Sequence, residues 1–149
     1  MKIEERLELL KQVANVATLA GLKGRIDENG KHFVMSFDVK DGRGQQVFVR
    51  PNGYSPEGAA IVTVWSTAHV FSKGLFGSIS KDQAVELLKM NENGFFARYG
   101  VWENEKETVV IVSWDLLLST LDPEELRAQA YCVAYAADAY EAKHRKDKF

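Results

Sequence analysis

The sequence predicts an α+β fold: a single domain spanning residues 1–149 in which an antiparallel β-sheet is flanked by helices, in the order α-β-β-β(-β)-α-β-β-α. Three observations predict it. Ser80-Lys81-Asp82-Gln83 is a capping box, with the Ser80 hydroxyl placed to accept from the Gln83 N–H and the Gln83 side chain placed to reach back. Residues 95–102 and 107–114, rich in aromatic and β-branched side chains, flank the polar turn Glu103-Asn104-Glu105-Lys106 and read as a β-hairpin. Leu121-Asp122-Pro123-Glu124-Glu125 opens a last helix: Asp122 is a good N-cap, Pro123 suits the first helical position, and the glutamates suit the positive end of the dipole.

Taken in order, the first helix covers residues 3–19. Ile3, Leu7, Leu10, Ala14 and Ala17 mark one apolar line and Leu9, Val13, Val16 and Ala20 a neighbouring one, together a broad stripe. Glu4, Glu5, Arg6, Glu8 and Lys11 form the solvated face, and Gly21 and Gly24 close the element. Arg25-Ile26-Asp27 is a short strand, followed by the turn Glu28-Asn29-Gly30-Lys31. Residues 32–40 alternate, with Phe33, Met35, Phe37 and Val39 on one face. Asp41-Gly42-Arg43-Gly44 turns the chain; it lacks the lysine and the strand-to-helix context of a phosphate-binding loop. Residues 45–50 form a third strand, which Pro51-Asn52-Gly53 is expected to stop because Pro51 cannot donate to a ladder.

Residues 59–71 form a fourth strand region leading into a glycine-flexible loop that carries Phe71, Leu75 and Phe76. Left in water, three such side chains would forfeit ~5–9 kcal/mol, on the scale of a whole domain's ~5–15 kcal/mol stability. They are therefore expected to fold onto the domain's own core or to meet a second subunit or a client. The second helix follows Ser80, with Ala84, Val85, Leu87, Leu88 and Met90 on its apolar side. It should end within Asn91-Glu92-Asn93-Gly94, with Asn93 or Gly94 in the left-handed conformation. In the hairpin, Phe95, Ala97, Tyr99 and Val101 share one face and Phe96, Arg98, Gly100 and Trp102 the other, while the run Val109 to Val112 suits a central strand covered on both sides. In the last helix Leu126, Ala130, Val133, Ala137 and Tyr140 recur at four, three, four, three spacing. The basic stretch 143–149 at its end is expected to fray.

A chain of 149 residues with 46% hydrophobic content suits one domain able to bury roughly 70% of its unfolded surface. A net charge of −2 gives no global field toward nucleic acid or anionic membrane, and the basic tail reads as a solvated helix end. Cys132, the single cysteine, excludes an intrachain disulfide and a thiolate cluster, as in a cytosolic protein, and reads as a small core residue. The first residues are too charged for a signal peptide, and no apolar run reaches the ~18 residues that span a bilayer. The localisation expected is cytoplasmic.

No catalytic constellation emerges. His32, His69 and His144 lack the spacing of a zinc-binding helix, and Ser113 and Ser119 lack a Gly-x-Ser-x-Gly context. Asp38 and Asp41 bracket a turn, where aspartate is ordinary. No enzyme activity, cofactor or metal is expected.

The element order, together with Leu87-Leu88-Lys89-Met90-Asn91, Phe95-Phe96-Ala97-Arg98-Tyr99 and Leu121-Asp122-Pro123-Glu124-Glu125-Leu126, resembles the YbjN family and, more broadly, the type III secretion chaperone-like fold that includes the Tir chaperones. The resemblance implies a small α+β domain, often homodimeric, that binds protein rather than performing chemistry. It carries no active-site residue over to this chain.

The leading expectation is thus a non-enzymatic, chaperone-like or regulatory protein-binding module acting through apolar surfaces of sheet and helices. Its candidate dimer and client residues are Phe71, Leu75, Phe76, Tyr131 and Tyr135; the two tyrosines sit four apart on the last helix beside Ala128, Ala139 and Ala142. The alternative is a small-ligand domain whose pocket, between sheet and helix, is lined by Trp65, Trp102 and Trp114.

Overall fold

The computed structural model describes residues 1–72 and 79–146. Among them are three helices and one six-stranded antiparallel sheet of order β1-β2-β3-β4-β6-β5. Leu75 and Phe76 lie outside the described residues, as do the last three.

Helix α1 (Ile3–Leu19) ends where Gly21 takes φ +71°. Gly21 N–H donates to the Thr18 carbonyl and Leu22 N–H to that of Ala17, the reversal that a left-handed residue makes possible. Its Leu10, Val13 and Ala17 are buried. Strands β1 (Gly24–Ile26), β2 (Phe33–Asp38), β3 (Gly44–Tyr54) and β4 (Ala60–Ser72) follow as a meander. A single helical turn at Lys40–Gly42, with Asp41 and Gly42 both at positive φ, joins β2 to β3.

Pro51 does not stop β3. It pairs with Val62 of β4, and the register slips between Pro51 and Tyr54. The ladder with β2 ends at Phe33↔Val49, so beyond it one side of β3 has no strand neighbour there and a residue without an N–H is tolerated.

Helix α2 (Lys81–Asn93) starts on the expected capping box: Gln83 N–H donates to Ser80 Oγ at 3.2 Å and Ser80 N–H to Gln83 Oε1 at 2.8 Å. Strand β5 (Arg98–Glu103) then pairs only with β6 (Glu107–Leu117), and β6 inserts between β4 and β5. Helix α3 (Pro123–Lys146) closes the molecule, helical through Lys146, with Asp122 Oδ1 accepting from Glu125 N–H at 2.8 Å.

Cross-strand partners share a face. The row Phe33↔Val49↔Val64 lies on one face, and these residues, with Met35, Val47, Val62 and Val112, join Leu126, Ala130, Val133 and Ala137 of α3 in one core. The row Val34↔Phe48↔Trp65 lies on the opposite face, outside that core.

Candidate functional site

The segment between α2 and β5 carries the most exposed large apolar side chain of the described residues, with a second exposed phenyl ring directly after it. Phe95 is 83% exposed and Phe96 61% exposed. The sequence reading placed both inside a strand beginning at residue 95, but β5 begins at Arg98. It also placed a left-handed residue at Asn93 or Gly94. Gly94 is instead extended, at φ −86° and ψ 148°, and the left-handed residue is Phe96, at φ +52°. Gly94 sits in close quarters for another reason: a Cβ there would approach the Met90 carbonyl oxygen to 3.1 Å and that of Ala97 to 3.3 Å, so the backbone around it would have to give by a few tenths of an ångström.

This knuckle is held from below. Gln129, buried on α3, donates from Nε2 to the Phe96 carbonyl. Arg98 Nη1 donates to the carbonyls of Gly94 and Ala97, each at 2.9 Å, while its guanidinium lies 5.0 Å from the centre of the Trp114 ring. Ala97 is buried. The backbone is thus pinned by polar contacts while two phenyl rings face water. A non-glycine residue in the left-handed region costs about 1–3 kcal/mol, and each phenylalanine left in water forgoes about 1.5–3 kcal/mol of burial.

The knuckle divides two hollows. On the side of Phe95 a hollow of about 520 Å³ runs between α2 and α3, with Met90, Ala97, Tyr99, Cys132 and Ala136 as apolar walls and Glu86, Lys89 and Asn93 at its margin. On the side of Phe96 one of about 350 Å³ is lined by Trp114, Ala128 and Gln129 and by the acidic residues Asp122, Glu124 and Glu125. Asn91 of α2 brackets β5 beside the first hollow: its Nδ2 donates to the Tyr99 carbonyl at 3.0 Å and its Oδ1 accepts from the Tyr99 N–H at 2.6 Å. The Tyr99 hydroxyl donates to the Ala136 carbonyl at 3.1 Å, and burial pushes its pKa up.

Among the described residues the expected site residues fall in two places. Phe71 is half-buried and packs against the domain's own core, edge-on to His69 at 4.4 Å. Tyr131 and Tyr135 are 36% and 49% exposed and stack at 6.3 Å. Tyr131 also rests edge-on against Phe37 at 4.9 Å, so Tyr135 is the freer of the two. Leu75 and Phe76 are outside the described residues.

The three tryptophans do not line one pocket between sheet and helix. The register pairs Trp65 with Ser113 and Val64 with Trp114, which puts Trp65 and Trp114 on opposite faces. Trp65 stacks on Phe48 at 4.6 Å on the open face and shares a hollow of about 280 Å³ with Arg50, Trp102 and Ile111. Trp114 packs against the core.

The histidines, distant in sequence, are partly brought together. His69 and His144 approach to 5.6 Å between ring centres, and His144 stacks on Tyr140 at 4.0 Å. Among the described residues no three His, Cys, Asp or Glu side chains cluster as a metal site would require. His32 Nδ1 lies 3.1 Å from Asp27 Oδ2; burial works against the Asp27 carboxylate, but the Lys31 N–H and the His32 ring and N–H outweigh it and hold its pKa low. Lys143 donates to Glu86, and this contact lowers the pKa of Glu86.

Sequence reasoning missed Phe95 and Phe96 as surface residues because aromatics beside a strand read as buried. A signal was present: two adjacent aromatics in a period-2 strand cannot both face one core.

No protein-family model matches the sequence, and no curated protein was found similar to it. Among solved structures, the chain is similar to the type III secretion chaperone SycH of Yersinia pestis, crystallised in complex with a stable fragment of YscM2. The TM-score is 0.56 over 89% of this chain and 98% of that one, at 14% sequence identity. The fold is secretion chaperone-like. Among the described residues no helix is long and apolar enough to cross a membrane.

Proposed function

We propose that this chain is a non-enzymatic protein-binding module of the bacterial cytoplasm, chaperone-like or regulatory, acting as a homodimer on an unfolded or extended segment of a client protein. One observation carries the reading: Phe95 and Phe96 stand in water on a backbone held there by Gln129 and Arg98. A chain selected for stability alone would turn at least one ring inward, since its burial outweighs most single surface contacts. Strain and exposure kept together in one segment are features of sites that meet a partner.

The chaperone version draws on the fold, and the regulatory version on the YbjN resemblance of residues 87–91 and 95–99. In both, the hollow between α2 and α3 takes an apolar side chain of the client and the Phe95 ring closes over it.

The test is light scattering from a heat-labile globular protein, with and without this chain. The wild type should suppress aggregation at near-equimolar ratio. The double variant Phe95→Ser, Phe96→Gly, which keeps the left-handed position without a side chain, should lose most of that protection. Equal protection by both would place client binding elsewhere; none by either would remove the chaperone version.

A further inference from the structure

We propose that the hollow beside Phe96 seats a cationic side chain of the client, so that the knuckle reads a basic residue next to an apolar one. This deepens the protein-binding reading and rests on it. The floor is aromatic, Phe96 meeting Trp114 edge-on at 6.4 Å. The rim is acidic: Asp122, Glu124 and Glu125 line the same hollow. Asp122 is engaged in capping α3. Glu124 and Glu125 are exposed, and neither has an ion-pair partner among the described residues. The neighbouring cation, Arg98, is committed to two backbone carbonyls and to Trp114.

Aromatic walls and unpaired carboxylates around one hollow select the same thing, a positive charge carried on an apolar stem, through apolar contact with the stem, cation–π attraction to Phe96 and ion pairing together. A small free cation would leave Phe95 and the larger hollow across the ridge uncovered. An extended chain covers both, with an apolar side chain among Met90, Tyr99 and Cys132 and a lysine or arginine against Glu124 and Glu125. The occupant is therefore a basic, apolar peptide segment of another protein.

The experiment uses the full chain and three fluorescein-labelled peptides of equal length, alternating leucine with arginine, glutamine or glutamate, read by fluorescence anisotropy at low and raised salt. The arginine peptide is expected to bind at least about tenfold more tightly than the glutamate peptide, with an advantage that shrinks as salt rises. The double variant Glu124→Gln, Glu125→Gln should lose that advantage while still binding the glutamine peptide. Phe96→Gly should weaken all three. Peptide binding with no charge preference, or a preference unchanged in the glutamine variant, overturns this proposal and leaves protein binding standing. Failure of every peptide to bind overturns both. Concentration-dependent self-association that the glutamine variant abolishes would assign the hollow to a second copy of the chain and overturn the client assignment.

Discussion

Tyr140 is the largest fully buried side chain, and its hydroxyl has no hydrogen-bond partner. Its ring is held by Tyr99 at 5.5 Å and by His144, so the residue is present for its ring, and the oxygen is a liability. Burial, with Glu86 and Tyr99 adding to it, pushes the hydroxyl from its ordinary 10.0 up to about 12. The unfolded chain therefore gives up this proton first. Its stabilising effect is whole below pH 10 and is lost as pH rises from there through about 12. Tyr140→Phe should raise stability at neutral pH by up to about 1 kcal/mol and flatten the alkaline decline. Urea melts of both proteins at neutral and alkaline pH check this; a less stable variant would mean that the hydroxyl has a partner. The sequence marked Tyr140 as a core position from its spacing alone, because a helix face is a local property. It gave no sign of the orphan oxygen, since a missing partner is a fact about every element around it. Ser80 and Gln83 were fully legible because both halves of their contact lie within one turn.

At the scale of elements, α2 is tied to β5 by one carboxamide. Asn91 occupies both the N–H and the C=O of Tyr99, as an adjoining strand would. Strand β5 is the edge of the sheet, and an edge left open is a template for unwanted pairing. Asn91→Leu keeps the volume and leaves two backbone groups without their partner; it should cost about 1–3 kcal/mol and let α2 swing from the sheet. Hydrogen exchange at Tyr99 and along α2 measures it, and unchanged protection at Tyr99 would refute it. The end of α1 and the starts of α2 and α3 were readable because caps are short-range signals. The extension of β3 past Pro51 was not, because whether a proline is tolerated depends on where β2 ends. Nor was the late start of β5: the positive φ of Phe96 is sustained by Gln129, 33 residues further on.

For the whole molecule, the sheet presents one face to α1 and α3 and leaves Val34, Phe48, Trp65 and Trp102 on the other. Tyr131 and Tyr135 form a second aromatic strip on α3, and Tyr135 lines a hollow with Val39, Lys40, Arg43 and Asp138 that includes neither Phe95 nor Phe96. A homodimer built on that strip would leave the knuckle open to a client. Replacing both tyrosines by alanine should weaken dimerisation at least about tenfold, since two aromatic anchors at the centre of an interface are worth that much. Sedimentation equilibrium over a wide concentration range reads it, and unchanged behaviour would move the interface elsewhere. The fold class was legible from the order and periodicity of the elements. Which apolar residues remain outside was not, because alternation in a strand names two faces without saying which one the helices cover.

The insertion of β6 between β4 and β5 sets an order of assembly. Strand β4 ends at Ser72 and the strand that completes its ladder begins at Glu107. At roughly 5–20 residues per second, a few seconds separate the emergence of the Ile61-Val62-Thr63-Val64-Trp65 edge of a nascent chain from the emergence of the strand that covers it. Strand β5 emerges earlier but has nothing to pair with until β6 arrives. Any pairing of β3 with β4 before that moment leaves one flank of β4 open, and the sheet is complete only once β6 has followed.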